Sequence, residues 1–363
     1  MRVVIDGLAI RGENSLRIVT EQLLSGWQRI DGLDELHLLI RSDQAISVPD
    51  DVAVHRVRFG RSELVSRLWA QSSQLPRFCR ALHADVLLGM LPTTALTPLP
   101  CPRVVVAWDF RDRLLPEQFP RKSLILRRVS YAVGFRQADA VGCISERTKR
   151  DLLAFHPRLS RIPVHVVHLG ADHVETWPVH RGGDDADSYA IAFGHFSNKN
   201  AELVVEAWSV LLARGNAPPL SLRLVGVSGG ERQRLLHRVA ELGLAGVVTV
   251  SPWLSNEEFR EQFASSSIVV FPSEFEGFGL PAVEAMRLGI PVVIRPEPAL
   301  LEVTGGHATV VDGAGPESLA RSVEVARQVP LGDLDAAKKY ADRFTWANFA
   351  SGVRSLLAEA VDA

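Results

Sequence analysis

Glu276 and Glu284 stand on either side of the glycine loop Gly277-Phe278-Gly279 in the stretch FPSEFEGFGLPAVEAMRLGIPVVI, residues 271–294. An apolar run ends near Phe271, Pro281 falls where a first helical position belongs, and Gly289 closes the periodic stretch, so the segment reads as strand, loop and helix. Glycines let backbone N–H groups approach a ligand closely. A helix start adds unpaired donors at the positive end of its dipole, which suits a phosphate or pyrophosphate. Glu284 lies about one turn into the helix with its side chain tilted back toward the start, and Glu276 stands just before the loop. Carboxylates repel phosphate and accept hydrogen bonds from hydroxyls. The pair therefore fits the sugar ends of a sugar nucleotide whose charged centre lies over the loop, although a glutamate in a first helical turn also complements the dipole by itself.

The elements that must position this loop recur along the whole chain. Short, β-branched apolar runs fall at 3–6, 36–40, 52–57, 85–88, 104–108, 140–144 and 164–168, then at 189–193, 222–225, 247–250, 268–271, 291–294 and 308–311. Each is followed by a stretch long enough for a helix, which argues for parallel sheets covered on both faces, with more strands than one open sheet comfortably holds. Two doubly wound α/β domains follow. The polar, aperiodic stretch HRGGDDAD, residues 180–187, reads as a linker. The expected organisation is a first domain over 1–178, a linker over 179–187, a second domain over 188–343 and a terminal helix over 344–363. That helix buries one face through Trp346, Phe349, Val353, Leu356, Leu357 and Ala360, and spacing alone leaves open whether it packs on its own domain or crosses back.

The 363 residues are 47% hydrophobic and 23% charged, with 40 Lys and Arg against 42 Asp and Glu, a formal net charge of −2. That balance excludes a chain disordered by self-repulsion and disfavours nucleic acid as the main partner. The excess of positive charge lies in the first half and of negative charge in the second, as two domains with different partners would show, and as chance drift would show too. Cys79, Cys101 and Cys143 are odd in number and widely spaced, which indicates neither a disulfide framework nor a zinc site. No apolar run approaches the roughly 18 residues that cross a bilayer, and residues 1–6 read as a buried strand and not as a signal peptide. A cytoplasmic location follows as the expectation, with the inner face of the membrane open.

The loop segment resembles the signature of the retaining glycosyltransferases of family four, and VVVAWDFRDRLLPEQFPR (104–121), QADAVGCISERTKRDLLAF (137–155), HVVHLGAD (165–172) and AFGHFSNKN (192–200) follow in that family's order and spacing. The resemblance implies the GT-B fold, two Rossmann-like doubly wound parallel-sheet domains facing across a cleft. It implies metal-independent transfer of a mannose-like or glucose-like hexose, with retention, from a nucleoside-diphosphate sugar to an acceptor hydroxyl, with no cofactor. Polysaccharide, glycolipid or glycoconjugate synthesis is the expected setting. Carried over residue by residue, Glu276 contacts the donor sugar, Glu284 the ribose, and the loop at Gly277, with the amides of Phe278, Gly279 and Leu280, the phosphates. Lys199 neutralises the diphosphate, or is a solvated loop lysine. Gly226 turns the chain beside the nucleotide, or is only a tight turn, and Trp253 falls where the family contacts the base, or simply packs.

Several positions depart from that pattern. Trp108-Asp109 replaces the His-Asp often found after the corresponding strand; an indole N–H donates but relays no proton, while the Trp108 ring is suited to stack against a sugar face. Asp109 is placed either for polar contacts to the reactants or to cap the next turn. Ser197-Asn198 replaces an Arg, and His195 occupies a position where Arg or Thr is frequent. The loop from Gly12 to Arg17 lacks the usual glycines, which leaves Arg17 as its candidate for the acceptor side. The acids Asp184, Asp185 and Asp187 imitate a metal motif but sit in the linker with no strand before them. Residues 111–136 interleave arginines with Leu124, Ile125, Leu126 and Val129. This is compatible with a basic helix on anionic lipid or near a lipid-linked acceptor, or with a core helix carrying its arginines outside. A nucleotide-sugar-binding subunit weakened in catalysis is the alternative reading. A dinucleotide oxidoreductase is a further one, though GxGxxG is absent after the first strand.

Overall fold

Each apolar run forms a parallel strand. A computed structural model of the chain describes residues 1–12, 15–93, 97–179, 188–215 and 220–363. Strands β1 to β7 are Arg2–Asp6, Glu35–Arg41, Ala53–Val57, Val86–Gly89, Arg103–Ala107, Ala140–Cys143 and Val164–Val166. Strands β8 to β13 are Tyr189–Phe193, Ser221–Val225, Val248–Val250, Ile268–Phe271, Val292–Ile294 and Thr309–Val310. They make a seven-stranded sheet in the order β3-β2-β1-β4-β5-β6-β7 and a six-stranded sheet in the order β10-β9-β8-β11-β12-β13. Strands β1, β4, β5, β8 and β11 are among those buried along nearly their whole length, as double coverage by helices requires.

The chain divides into a first unit of Met1–Gly170 with Phe344–Ala363 and a second unit of Ala171–Arg343. The first unit thus closes at Gly170, earlier than residue 178, because the short turn Asp172–Thr176 packs on the second unit's helix Leu280–Arg287. The proposed linker with its acidic triplet falls on residues 180–187, outside the described residues, as do Glu13 and Asn14 of the Gly12–Arg17 loop.

The terminal helix Trp346–Asp362 belongs to the first unit, where it packs along the helix Ser15–Trp27 and against β4, β5 and β6. Its buried face is Trp346, Phe349, Ala350, Val353, Leu356, Leu357 and Ala360. Two glycines permit this approach: a Cβ on Gly26 would collide with the carbonyl of Trp346, and one on Gly170 with the Thr345–Trp346 peptide. Arg354 Nε, the N-terminal ammonium and Trp27 Nε1 all donate to the buried Asp34 carboxylate, at 2.6, 2.8 and 3.2 Å. In the second unit the core lies between the sheet and the helices Ala201–Ala213, Gly229–Glu241 and Pro316–Ala326, with Trp208 fully enclosed and its indole donating to the Leu220 carbonyl at 2.7 Å.

Candidate active site

From β8 the second sheet grows outward through β9 and β10 on one side, and from β11 through β12 and β13 on the other. Connections leave the carboxyl ends of β8 and β11 in opposite directions, and open α/β sheets form their ligand crevice at such a point. The two loops that start there are 194–200 and 272–279. Asn198, 2% exposed, ties them together: its amide donates to Ser273 Oγ at 3.1 Å and to the Phe275 carbonyl at 2.9 Å. Glu274 N returns a bond to the Asn198 carbonyl at 2.9 Å, and Asn200, in the left-handed region at φ 56°, donates to the Pro272 carbonyl at 2.9 Å. The residue that replaces the family's arginine is therefore a clamp between loops.

On this floor Lys199 Nζ is ion-paired with Glu276 Oε1, their side chains 8% and 14% exposed. The ammonium also lies 4.3 Å from the centre of the Phe271 ring, whose negative face attracts it. A lysine and a glutamate far apart in sequence are thus brought together at the switch point, which excludes the reading of Lys199 as a solvated loop residue.

Gly279 caps the helix Leu280–Arg287 in a left-handed conformation, φ 98° and ψ 45°, and a Cβ there would strike Leu300 Cδ2. Phe278 beside it is buried, which fixes the loop above the helix start. Glu284 is 5% exposed, and His173 Nε2 contacts its Oε1 at 3.0 Å. Arg287 is held by the same turn, donating to Glu175 Oε1 through Nε at 3.0 Å and Nη2 at 2.6 Å. The turn Asp172–Thr176 therefore orients the helix by a histidine contact and an arginine–glutamate pair. His173 escaped the sequence reading, although it stands one residue past the HVVHLGAD motif.

At the ends of β8, β9 and β10, His195 lies between Phe196 and Trp253, with ring centres 4.7 and 5.1 Å away. Trp253 is 66% exposed and Phe196 51%, so neither is a packing residue. Gly226 has φ 80° and passes so close that a Cβ on it would touch His195 Cβ at 3.4 Å. An aromatic platform of two exposed rings and an imidazole results, and Phe196 is a member that sequence reasoning missed.

The first-unit candidates are engaged differently. Trp108 Nε1 donates to the Met90 carbonyl at 2.6 Å, which uses its one donor. Asp109 Oδ1 accepts from Arg111 N at 3.0 Å and from Arg127 Nη2 at 3.1 Å, so the capping role is present together with an ion pair. Arg17 pairs with Glu21 one helical turn on, Nε to Oε1 at 2.9 Å. These three residues are bound by their own surroundings.

Residues 175–342 match the family model described as glycosyl transferases group 1, a span that contains Lys199, Glu276 and Glu284. The chain is 32% identical over 185 residues to a D-inositol 3-phosphate glycosyltransferase of Paenarthrobacter aurescens, covering 48% of this chain and 45% of that one. It is 27% identical over 244 residues to a mannosylfructose-phosphate synthase of Agrobacterium fabrum, covering 61% and 53%. The match spans about half the length of these curated relatives. The structure of Anabaena Alr3699/HepE, solved in complex with UDP-glucose, superposes with a TM-score of 0.73 over 99% of both chains at 14% identity. Residues 175–342 are thus similar to the glycosyl transferases group 1, and the two Rossmann-like parallel-sheet units are those of the GT-B fold.

Proposed function

We propose that this protein transfers a hexose from a nucleoside-diphosphate sugar to an acceptor hydroxyl, with retention and without a metal ion. The observation that carries this reading is the Lys199–Glu276 pair at the carboxyl ends of β8 and β11, just ahead of a glycine-capped helix. Lys199 is the cation available to the departing diphosphate, where charge grows in the transition state and a preorganised ammonium contributes most. Glu276 orients the hexose through its hydroxyls. Glu284, fixed by His173, keeps Oε2 without a hydrogen bond among the described residues, free to accept from a ribose hydroxyl. The platform of His195, Phe196 and Trp253 offers ring faces to a base. The Anabaena relative, with UDP-glucose in its title, supports a donor of this class.

Replacing Glu276 with Gln should abolish turnover, by about a thousandfold or more, while the circular-dichroism spectrum stays native. An active, folded Glu276→Gln protein would remove Glu276 from the mechanism. A second reading, donor binding without transfer, has one observation in its favour: Trp108 and Asp109, which replace the family's His-Asp, are committed to Met90 and Arg127. Calorimetric binding of UDP and GDP sugars beside turnover and donor-hydrolysis assays separates the two.

The partner proposal extends to a membrane surface. The helix Arg121–Arg136 buries only Tyr131, Gly134 and Phe135, and exposes Ile125 by 64%, Leu126 by 40% and Val129 by 58% beside Arg121 and Lys122. Apolar residues among exposed cations suit anionic lipid. Among the described residues no helix is long and apolar enough to cross a bilayer. Co-sedimentation with anionic vesicles at low salt, absent with neutral ones, is the expected result.

A further inference from the structure

The three cysteines of this chain are free thiols, and two of them, far apart in sequence, meet in the first unit. Cys79 lies buried on the helix Leu75–Ala81, and Cys101 stands two residues before β5. Both belong to the apolar cluster built on Val4 of β1 and Leu87 of β4, with Leu99 packed beside them. The Cys79 thiol donates a hydrogen bond to the Cys101 sulfur.

The segment that carries Cys101 is held along the helical stretch at a second point. Thr97 Oγ1 donates to the Ser72 carbonyl at 2.6 Å, within the π-helical turn Ala70–Gln74 that runs into the helix Leu75–Ala81. Cys79 lies seven positions beyond Ser72, about 10 Å along a helix, and the four steps from Thr97 to Cys101 span up to about 13 Å when extended. The two chains thus run side by side between these contacts. Pro100 and Pro102 flank Cys101, fixing φ on either side and steering Cys101 itself to extended backbone. Both sulfurs therefore hang from backbone with little freedom to part.

Surroundings give the two thiols different parts. Cys101 is half-buried, whereas Cys79 is buried. The hydrogen bond from Cys79 holds the Cys101 thiol below its ordinary value, against burial and the carboxylates of Asp139 and Asp85. That same bond, together with burial, pushes Cys79 up. Cys143, enclosed on β6, is pushed up to about 12 by burial and serves as an internal reference.

We propose that Cys101 and Cys79 form an oxidation site that closes to a reversible disulfide when it meets a peroxide. The Cys101 thiolate attacks one peroxide oxygen, the O–O bond breaks, and the hydroxide released takes up the thiol's proton and leaves as water. The Cys79 sulfur then attacks the Cys101 sulfenic acid, the S–O bond breaks, and the Cys79 proton departs with that oxygen as a second water. Two thiols are oxidised and one hydrogen peroxide is reduced, giving one disulfide and two waters. The new bond closes a ring of chain that contains β4, so the oxidised protein resists unfolding better.

Peroxide treatment of the full chain, alkylation of the remaining thiols in urea, and intact-mass and peptide mapping test this. Untreated protein should take three alkyl groups. Treated protein should take one, on Cys143, and yield a Cys79–Cys101 cross-linked peptide that dithiothreitol reopens, with a melting temperature that rises on oxidation and returns on reduction. Cys79→Ala should leave a Cys101 sulfenic acid that dimedone traps at least about tenfold more than Cys143. Cys101→Ser should abolish both the cross-link and the melting shift. Three alkyl groups on treated wild type, under conditions that oxidise free cysteine, overturn the proposal. So does over-oxidation of Cys101 without a cross-link, or a disulfide that includes Cys143 or joins two chains. The wild-type map decides by itself should either variant fail to fold.

Discussion

Lys199 and Glu276 are each nearly buried, so their pairing decides the local stability. Removing one member leaves a charge without its partner in a poorly solvated place, at a cost of about 3 kcal/mol. Lys199→Met should therefore lower the urea midpoint clearly, and adding Glu276→Gln should restore most of it. Additive losses in the double variant would show that the two side chains act separately. Asp109 gives the opposite expectation. Its carboxylate serves Arg127 and the Arg111 amide, so Asp109→Asn should cost about 1 kcal/mol in stability and leave nucleotide affinity unchanged, which paired melts and UDP titrations measure. At this scale the sequence told where the candidate residues stand and not always what they touch. Glu276 and Glu284 were legible because a glycine loop between a strand and a helix has one geometry. His173 was not, because its contact with Glu284 depends on how a distant turn folds over the helix. Nor could spacing show that the Trp108 indole would be spent on the Met90 carbonyl.

Elements were more legible than contacts. All the apolar runs became strands to within a residue or two, since strands buried on both faces must be continuously apolar, and the terminal periodic stretch became the helix Trp346–Asp362. The π-helical turn at Ala70–Gln74 left no such pattern, because one widened turn shifts the register without changing composition. The helix cap at Gly279 can be tested directly. With φ at 98° and Leu300 against the missing Cβ, Gly279→Ala should destabilise the protein by about 2 kcal/mol or more and weaken donor binding. Trimming the neighbour in Gly279→Ala/Leu300→Ala relieves the collision and not the backbone strain, so thermal melts should show only partial recovery. Full recovery would mean that φ at this cap is immaterial.

Across the molecule, Asp34 joins the beginning of the chain to its last helix. Burial alone would raise its carboxyl, but the hydrogen bonds from Arg354, the terminal ammonium and Trp27 outweigh this and hold it below its ordinary 3.8. A carboxyl depressed in the folded state contributes stability that is complete above the unfolded value and fades as pH falls through the folded one. Melting temperatures of wild type and Asp34→Asn should therefore differ most at neutral pH and draw together as pH falls below the ordinary carboxyl value of 3.8. A gap that does not narrow at all as acid is added below that value would assign the effect to shape alone. The approach of Gly170 to the Thr345–Trp346 peptide carries a different message. Where the polypeptide leaves the first sheet and where it comes home are neighbours, so residues 171–343 are spliced in at a single spot. Joining the flanks with a few glycines and serines should yield a free-standing miniature that keeps the seven-stranded sheet and the helix that closes on it, which melts followed by circular dichroism can check.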